Sequence, residues 1–253
     1  MWIEPTAHFM PENYNSPIIG IASQLKNHNS GIHQHDLGQL LFSGKGSIKL
    51  CLEQAIYVLP PARLAWIPAG VSHQAIMHDV VNYRSIYLDR QISLQLPDQL
   101  CVFSCTAVLS ALLERIAFLP FSTDWDAGVY PHLLAVFLYE LKHAPHENFR
   151  LALPSDKRLA HIDWNRLPPT LQVLAKDSAA SERTLSRIFI KETGLNYQRW
   201  RQQWRLLKAI ELLTYNTSLL DIALELGFSN DSAFSTFFKS MTGKAPRQYI
   251  ETS

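Results

Sequence analysis

Two stretches of this chain, whose first residues lie 48 positions apart, share one helical layout, and this repetition limits the fold more than any other feature. The first is SERTLSRIFIKETG, residues 181–194, and the second is SNDSAFSTFFKSMTG, residues 229–243. Each begins with polar residues that can cap a helix, continues with apolar residues at helical spacing, and ends at a glycine. Each stretch therefore predicts an amphipathic helix with a polar exposed edge.

A shorter helix and a tight turn precede each of these two helices. Thr170 is placed to cap the short helix before the first stretch, and the small residues 178–180 supply the turn. Ser218, followed by Asp221, fits the capping-box pattern before the second stretch, and Gly227 suits a turn position with positive φ. A short helix, a tight turn and a longer helix form a helix-turn-helix unit, whose second helix enters the major groove of DNA.

One long helix is predicted between the two units, over NYQRWRQQWRLLKAIELLTY, residues 196–215. A helix rises 1.5 Å per residue, so this segment would span about 30 Å. One helical turn of duplex DNA is about 34 Å long. Two reading helices joined by such a rod would enter two successive major grooves on one face of the duplex.

The C-terminal sequence resembles that of AraC/XylS-type transcription regulators over about residues 155–251. LGFSNDSAFSTFFKSMTGKAPRQYI is similar to the second helix-turn-helix of that family, and SERTLSRIFIKETGLNYQRWRQQWRLLKAIELL to the first and the connecting helix. The resemblance implies a sequence-specific DNA-binding regulator. Its implied macromolecular partners are double-stranded operator DNA and RNA polymerase. Most members of that family activate transcription, so the resemblance implies an activator.

The resemblance also implies which side chains contact bases. These are Arg183, Ser186 and Arg187 in the first unit, and Asp231, Ser232, Ala233 and Thr236 in the second. Arginine binds guanine O6 and N7 bidentately and serine bonds to either base type, so chemistry supports the first set. Asp231 could accept from cytosine N4 or merely cap its helix, and the second unit is expected to read bases more weakly.

Several cations are candidate phosphate contacts, although a solvated surface position explains each of them at least as well. They are Arg199, Arg205, Lys239, Lys244 and Arg247. Residues 156–253 hold 14 Lys and Arg against 10 Asp and Glu, a net charge of +4. Residues 1–155 hold 9 against 12, a net charge of −3, together with nine of the ten histidines. The two parts are therefore expected to do different work, and the basic part is compatible with phosphate binding.

The N-terminal part predicts short strands, because apolar runs such as IIGIASQL, GQLLFS and YRSIYL alternate with Gly, Pro, Asn and Asp. GIHQHDLGQLLFSGKG and IPAGVSHQAI resemble the two motifs of cupin barrels. The predicted fold class is α+β. We expect a cupin-like β-barrel with flanking helices at residues 1–145, a linker at 146–157, and an all-α domain at 158–253 with two helix-turn-helix motifs joined by a long helix.

Four residues stand where metal-bearing cupins hold three histidines and a glutamate: His33, His35, Gln39 and His73. His33, His35 and Gln39 share parity, so one strand would point all three in the same direction. Gln39 departs from the pattern, since a neutral amide is a poor replacement for a carboxylate ligand of a divalent ion. Three imidazoles can still hold zinc with an open fourth position.

Three alternatives therefore stay open for this cluster, and no cofactor is certain. In the first, His33, His35 and His73 bind a divalent metal, zinc or iron. In the second, all four residues line a polar pocket for a small-molecule effector, without metal. In the third, the histidines are hydrogen-bonded structural residues.

Two apolar periodic segments follow, residues 106–119 and 130–143. In AraC-type proteins with a cupin-like domain such helices commonly support dimerisation, so a homodimer is expected. A helical hairpin folded on its own barrel explains the same pattern almost as well. The chain starts without the basic and apolar regions of a signal peptide, lacks an apolar run of membrane-span length, and has an odd number of cysteines, three. A cytoplasmic protein with no membrane partner is expected.

The sequence thus predicts a transcription regulator controlled by a small effector that binds in the cupin-like domain. One alternative is a metal-responsive regulator, in which the ion held by His33, His35 and His73 is itself the effector. Another is a cupin enzyme with a DNA-binding appendage. Gln39 argues against an enzyme, and no pair of nucleophile and base stands out, so no catalytic residue is predicted.

Overall fold

A computed structural model describes residues 1–6, 9–215 and 217–251. Their contacts divide the chain into two compact units. The sheet unit consists of Met1–Leu50 and Leu59–Phe149, and the helical unit of Cys51–Val58 and Arg150–Ser253. The predicted class, with antiparallel sheets in the N-terminal part and helices in the C-terminal part, is confirmed. The last two residues of the predicted domain 158–253 lie outside the described residues.

The strands, in chain order, are β1 (Ile18–Leu25), β2 (His28–Asn29), β3 (Gly38–Ser43), β4 (Ile48–Leu52), β5 (Ala55–Leu59), β6 (Arg63–Ile67), β7 (Gln74–Met77), β8 (Val81–Leu88), β9 (Cys101–Ser104), β10 (His146–Glu147) and β11 (Arg150–Ala152). The helices are α1 (Arg90–Ser93), α2 (Ala107–Ala117), α3 (Tyr130–His143), α4 (Leu171–Asp177), α5 (Glu182–Thr193), α6 (Tyr197–Leu213), α7 (Leu219–Glu225), α8 (Asp231–Thr242) and α9 (Pro246–Glu251). Short 3₁₀ helices lie at Pro11–Asn13 and Lys157–Leu159.

A six-stranded antiparallel sheet in the order β1-β8-β3-β6-β9-β10 forms the frame of the sheet unit. Successive side chains of a strand point to opposite faces, so each strand serves two environments. Leu40 and Phe42 on β3, with Ile86 and Leu88 on β8, pack on one face in a core shared with α2 and α3. Gln39 therefore lies on the opposite face of β3.

The apolar stripes of α2 and α3 are used inside this core. Leu109, Leu113 and Ile116 on α2 and Phe137 and Leu141 on α3 are buried against the sheet. The sequence left open whether these stripes dimerise or fold on their own sheet, and the structure has the second arrangement. Any dimer contact made by these helices must use their other faces.

Strand structure also occurs in the segment that we predicted as a linker, residues 146–157. β10 pairs with β9 at the edge of the six-stranded sheet, and β11 pairs with β5 inside the helical unit. Phe149 and Leu151 are buried, whereas Asn148 and Arg150 are exposed, which is the two-residue period of a strand. The sequence analysis missed these strands because each is only two or three residues long and depends on a distant partner.

Local capping explains where the helices of the first helix-turn-helix begin and end. Thr170 and Ser181 accept hydrogen bonds from the backbone N–H groups three residues on, at the starts of α4 and α5. The turn between them holds Ala179 at φ 47°, and Gly194 ends α5 at φ 76°. These are the caps that the sequence predicted.

The second helix-turn-helix repeats this geometry with a different cap. Ser218 caps α7, and Gly227 forms the turn at φ 74°. Asn230, whose side chain accepts a bond from Ala233 N–H at 2.8 Å, caps α8. The caps Ser181 and Asn230 are 49 positions apart, one more than the spacing of the two sequence stretches, and α5 and α8 both contain 12 residues. The two helices therefore correspond residue for residue at an offset of 49.

α6 is the central helix of the helical unit. Its 17 residues span about 25 Å at 1.5 Å per residue. Trp200 is fully buried, with its ring 5.1 Å from that of Phe189 on α5 and 5.0 Å from that of Trp164. Its indole N–H donates to Ala152 O at 2.6 Å. The connecting helix is thus packed against the first reading helix rather than standing free in solvent.

Candidate DNA-reading helices and effector cavity

The outer stripe of α5 carries the base-contact residues predicted for the first unit. Arg183 and Arg187 are exposed and Ser186 is half-buried, while Leu185 and Phe189 on the opposite side are fully buried. Residues three and four apart share one face of a helix, so Arg183, Ser186 and Arg187 form a continuous polar stripe. Each arginine can offer its planar fork to a guanine edge.

Ile190 continues this stripe by one more turn, and the sequence analysis missed it. Its side chain is 55% exposed. An isoleucine that directly follows Ile188 and Phe189 is easily assigned to the buried core with them. The helical period alone, however, places residue 190 on the same face as residues 183 and 187.

The stripe of α8 contains only part of the set predicted for the second unit. Ser232, Thr236 and Lys239 are exposed and occupy the positions of Arg183, Arg187 and Ile190. Asp231 and Ala233 lie beside the stripe, rotated by about 100° to either side of Ser232. Thr236 Oγ1 donates to Ser232 O at 3.0 Å, so part of its hydrogen-bonding capacity is satisfied within the helix.

Asp231 does not cap α8, because Asn230 has that role. Of the two roles that the sequence left open for Asp231, only a contact outside its own helix remains. The residue lines a concave surface region of about 470 Å³ together with Ser218 and Arg247.

The candidate phosphate contacts divide into two groups. Arg199, Lys239, Lys244 and Arg247 are exposed. Arg205 is half-buried, and its guanidinium carbon lies 4.9 Å from the ring centre of Phe228, in the turn region between α7 and α8. Burial, with the charge of Arg201 nearby, lowers the pKa of Arg205. The Arg205 guanidinium therefore packs α6 on the second helix-turn-helix, whereas the other four cations have exposed side chains.

His33, His35 and His73 converge in the sheet unit, with one potential ligand atom from each lying within 4.8 Å of the others. His33 and His73 face each other in an antiparallel bridge, with backbone N–H to O distances of 3.0 and 2.9 Å. β3 begins only at Gly38, so the expectation that one strand carries His33, His35 and Gln39 is wrong. The bridge brings the histidines together, and His35 Nε2 lies 3.2 Å from Gln39 Oε1.

Backbone carbonyls orient all three imidazole rings. The Nδ1 atom of each ring lies against a carbonyl oxygen two residues away, those of Gly31 (3.1 Å), Leu37 (2.5 Å) and Val71 (2.8 Å). A carbonyl can only accept, so each Nδ1 carries a proton, and the ring of a neutral histidine held in this way presents the lone pair of its Nε2. Burial, with the charges of His33 and His35 nearby, lowers the pKa of His73 to about 4. His73 is therefore neutral near pH 7.

Gln39 connects this cluster to a buried row of hydroxyl groups on β8. Its amide nitrogen donates to Ser85 Oγ at 2.9 Å and to Tyr87 OH at 3.2 Å, with Tyr83 OH at 3.5 Å. Burial raises the pKa of both tyrosines, so their hydroxyl groups stay protonated. The sequence analysis missed Tyr83, Ser85 and Tyr87, although their alternate positions in one strand would have placed them on the same face.

A cavity of about 310 Å³ lies beside His33, Tyr83 and Tyr87. Phe9, Ile21 and Leu25 contribute apolar walls. Its size falls at the lower end of the range for small-molecule sites, and apolar walls with a few polar groups are typical of such sites. The arrangement can hold a small molecule with an apolar body and a group that hydrogen-bonds to imidazole or phenol.

Two family models match the chain: an AraC-like ligand binding domain over residues 15–104 and a helix-turn-helix domain over residues 174–252. The chain belongs to the AraC family of transcription regulators. As a member of this family it is a DNA-binding regulator of transcription with a ligand-binding N-terminal domain. The matched ranges contain the histidine cluster and both reading helices.

Relatives of this AraC-family chain are regulators too. It is 28% identical over 230 residues to the HTH-type transcriptional regulator NimR of Escherichia coli (strain K12), covering 87% of this chain and 82% of NimR. It is 35% identical over 101 residues to the HTH-type transcriptional activator RhaS of Escherichia coli (strain SE11), and the match covers 40% of this chain and 34% of RhaS. The chain is also similar to ToxT from Vibrio cholerae, whose crystal structure contains a bound unsaturated fatty acid. The two sequences are 16% identical, the TM-score is 0.38, and the match covers 94% of this chain and 96% of ToxT.

Among the helices that the structure describes, none has the length and apolar character needed to cross a bilayer.

Proposed function

We propose that this regulator reads an operator with α5 and α8 together, and that a small molecule in the cavity of the sheet unit controls this reading. The observation that carries the first part is the residue-for-residue correspondence of two exposed stripes on helices of equal length. Arg183, Ser186 and Arg187 make the base contacts of α5. Ser232, Thr236 and Lys239 make those of α8, flanked by Asp231 and Ala233.

The two helices differ in the chemistry that they offer to DNA. α5 presents two arginines, whose bidentate bonds to guanine discriminate strongly between bases. The stripe of α8 offers three hydroxyl groups and one lysine, since the half-buried Ser235 stands at the position of Ser186, and these groups suit phosphate contacts and weaker base contacts. We therefore assign most of the sequence specificity to α5 and a positioning role to α8.

A footprint on a selected operator tests this assignment. Cleavage of the DNA backbone by hydroxyl radicals should be blocked in two clusters centred about one helical turn, 10–10.5 base pairs, apart on one face of the DNA. The double variant Arg183→Ala, Arg187→Ala should lose protection in one cluster and keep it in the other. The operator would first be selected from random DNA with the full-length protein. Protection confined to a single cluster would contradict reading by two helices.

For the effector, we propose contacts with His33, Tyr83 and Tyr87, which line the cavity. His35, Gln39 and His73 do not line it, and they would contact an effector that reaches past His33 and the two tyrosines. The imidazole rings, the protonated phenols and the apolar walls support a small organic molecule of mixed polarity. Binding can regulate only if the molecule favours one arrangement of the protein over another. The proposal includes no catalytic step.

A metal-responsive regulator is the second candidate, and one contact favours it. His35 Nε2 and Gln39 Oε1 lie 3.2 Å apart, and in the neutral ring with its proton on Nδ1 both atoms are acceptors. A cation held by His33, His35 and His73 would relieve this contact, with the Gln39 amide oxygen beside it. The donor set fits zinc, which accepts three imidazoles, better than iron(II), whose common sites include a carboxylate. Bound zinc would supply a positive charge and an exchangeable coordination position.

Zinc titration separates these two candidates. If the cluster is a metal site, the purified full-length protein should bind one zinc ion per chain. The variant His33→Ala should then bind it at least about tenfold more weakly, since even residues that only support metal ligands cost 10–100-fold. His132→Ala, on the exposed side of α3, is the matched control and should bind normally. Zinc uptake that is equal in all three proteins, or undetectable in the wild type, would exclude this metal site and leave the organic effector.

We further propose that the regulator is cytoplasmic, acts on RNA polymerase and works as a homodimer. Because the main stripes of α2 and α3 are buried in their own core, the dimer contact would use the outer side of α3. Val136 and Tyr139 are exposed there, one turn apart.

A further inference from the structure

An exposed apolar side chain continues the charged stripe of α5. Ile190 is 55% exposed, with Arg187 one turn before it and Lys191 beside it, both of them exposed. Single exposed apolar residues are common on protein surfaces, so exposure alone carries no meaning. The position of Ile190 within the reading stripe is the informative feature.

Arg183, Ser186, Arg187 and Ile190 stand at positions i, i+3, i+4 and i+7. The reading helix of a homeodomain uses the same spacing for the residues that it presents to the major groove. From the first to the last of these residues the helix rises about 10 Å, or roughly three base pairs. A helix that brings Arg183 and Arg187 to base edges therefore brings Ile190 to a base pair of the same groove.

The equivalent position in α8 is occupied by Lys239. A lysine there can contact phosphate or a base oxygen, whereas an isoleucine can do neither. Among the four bases, only thymine presents an apolar group, its C5-methyl, in the major groove. The cations on both sides of Ile190 suit DNA as the covering surface, and a protein partner would need a wider apolar area than one side chain.

We propose that Ile190 is a specificity-determining residue that contacts the C5-methyl group of a thymine beside the bases read by Arg187. This inference rests on the proposed role of α5 and extends it to a base that the arginines and the serine do not recognise.

Replacing thymine by deoxyuridine removes only the methyl group and so tests this contact directly. Within the half-site protected by α5, each thymine of the selected operator is replaced in turn, and the Kd is measured by fluorescence anisotropy at constant salt. For the wild type, one replacement should weaken binding about fourfold, the effect of burying one methyl group. Ile190→Ala should bind the thymine operator about fourfold more weakly and show no further loss with deoxyuridine at that position.

Two variants complete the test. Ile190→Val keeps the branched side chain and should retain most of the difference between thymine and deoxyuridine. Lys239→Ala, at the equivalent position of α8, should weaken binding to both operators by the same factor. The side chain of Ile190 is largely exposed, so the melting temperature of Ile190→Ala should match that of the wild type.

The proposal is overturned if Ile190→Ala discriminates between thymine and deoxyuridine as well as the wild type does at every position. In that case the operator affinity of Arg187→Ala shows whether the thymine contact alone or the whole DNA-reading role of α5 is wrong. A loss of operator affinity in Arg187→Ala would leave the role of α5 intact and remove only the thymine contact. Unchanged affinity in Arg187→Ala would mean that α5 is not at the DNA.

Discussion

Replacement of Arg187 by alanine is expected to weaken operator binding by about 1–3 kcal/mol and to relax base preference at one position of the site. Arg187 is exposed in the middle of the α5 stripe, between Arg183 and Ile190. A bidentate bond to guanine discriminates against the other three bases, so its loss should affect the preferred sequence most. The Kd should be measured on the selected operator and on its single-base variants, all at one salt concentration, because phosphate contacts make affinity depend on salt.

Two variants distinguish base reading from a simple loss of positive charge. Arg166→Ala removes the same charge from a side chain that is 88% exposed and lies outside both reading helices. It should change affinity little, and by the same factor for every sequence. Arg187→Lys keeps the charge but loses the planar fork, so it should retain binding to random DNA and lose preference for the operator. Equal losses in Arg187→Ala and Arg166→Ala would contradict base reading by Arg187.

Replacement of Trp200 by alanine is expected to lower the free energy of unfolding of the helical unit by about 3–5 kcal/mol. The indole is fully buried against Phe189 on α5 and Trp164 in the segment before α4. Its removal therefore leaves a large cavity between α6, α5 and that segment. The carbonyl of Ala152 also loses its hydrogen-bond donor. A loss of this size is a large part of the 5–15 kcal/mol that stabilises a typical domain. Operator binding should decline together with stability.

Urea unfolding followed by far-UV circular dichroism measures this effect. Trp200→Phe keeps most of the apolar contact but loses the indole N–H, so it should be destabilised less than Trp200→Ala. Arg199→Ala, at the exposed neighbouring position, should lie within about 0.5 kcal/mol of the wild type. If Trp200→Ala were as stable as Arg199→Ala, the aromatic cluster could not be the core that holds α6 against the first reading helix.

Features that depend on a few neighbouring residues were predicted from the sequence alone. Thr170, Ser181 and Ser218 were found as helix caps because each side chain bonds to a backbone N–H three residues on. Gly194 and Gly243 were found as helix ends because both need positive φ, where glycine has the least strain. The doubled helix-turn-helix, and with it the DNA-reading function of the C-terminal part, follows from such local signals.

The start of α8 was left open by about one residue, because Ser229, Asn230 and Asp231 are all residue types that can cap a helix. The structure shows that Asn230 forms the cap, since its side chain accepts a hydrogen bond from Ala233 N–H. The apolar residues and the closing glycines of the two stretches match at the same offset of 49, which makes Lys239 the counterpart of Ile190.

Contacts between residues distant in the sequence were decided only by the tertiary structure. The cupin-like motifs pointed to His33, His35, Gln39 and His73, but an antiparallel bridge, not a shared strand, brings the histidines together. The charge of Arg205 suggested a phosphate contact, and the structure shows in addition that its guanidinium packs against the ring of Phe228.

The sequence by itself determined the helix-turn-helix pair and its exposed polar edges, because turn, cap and period are properties of short segments. The tertiary structure decided which faces are covered, which polar groups meet and which apolar residue stays exposed, because burial depends on partners that the chain brings together only when it folds.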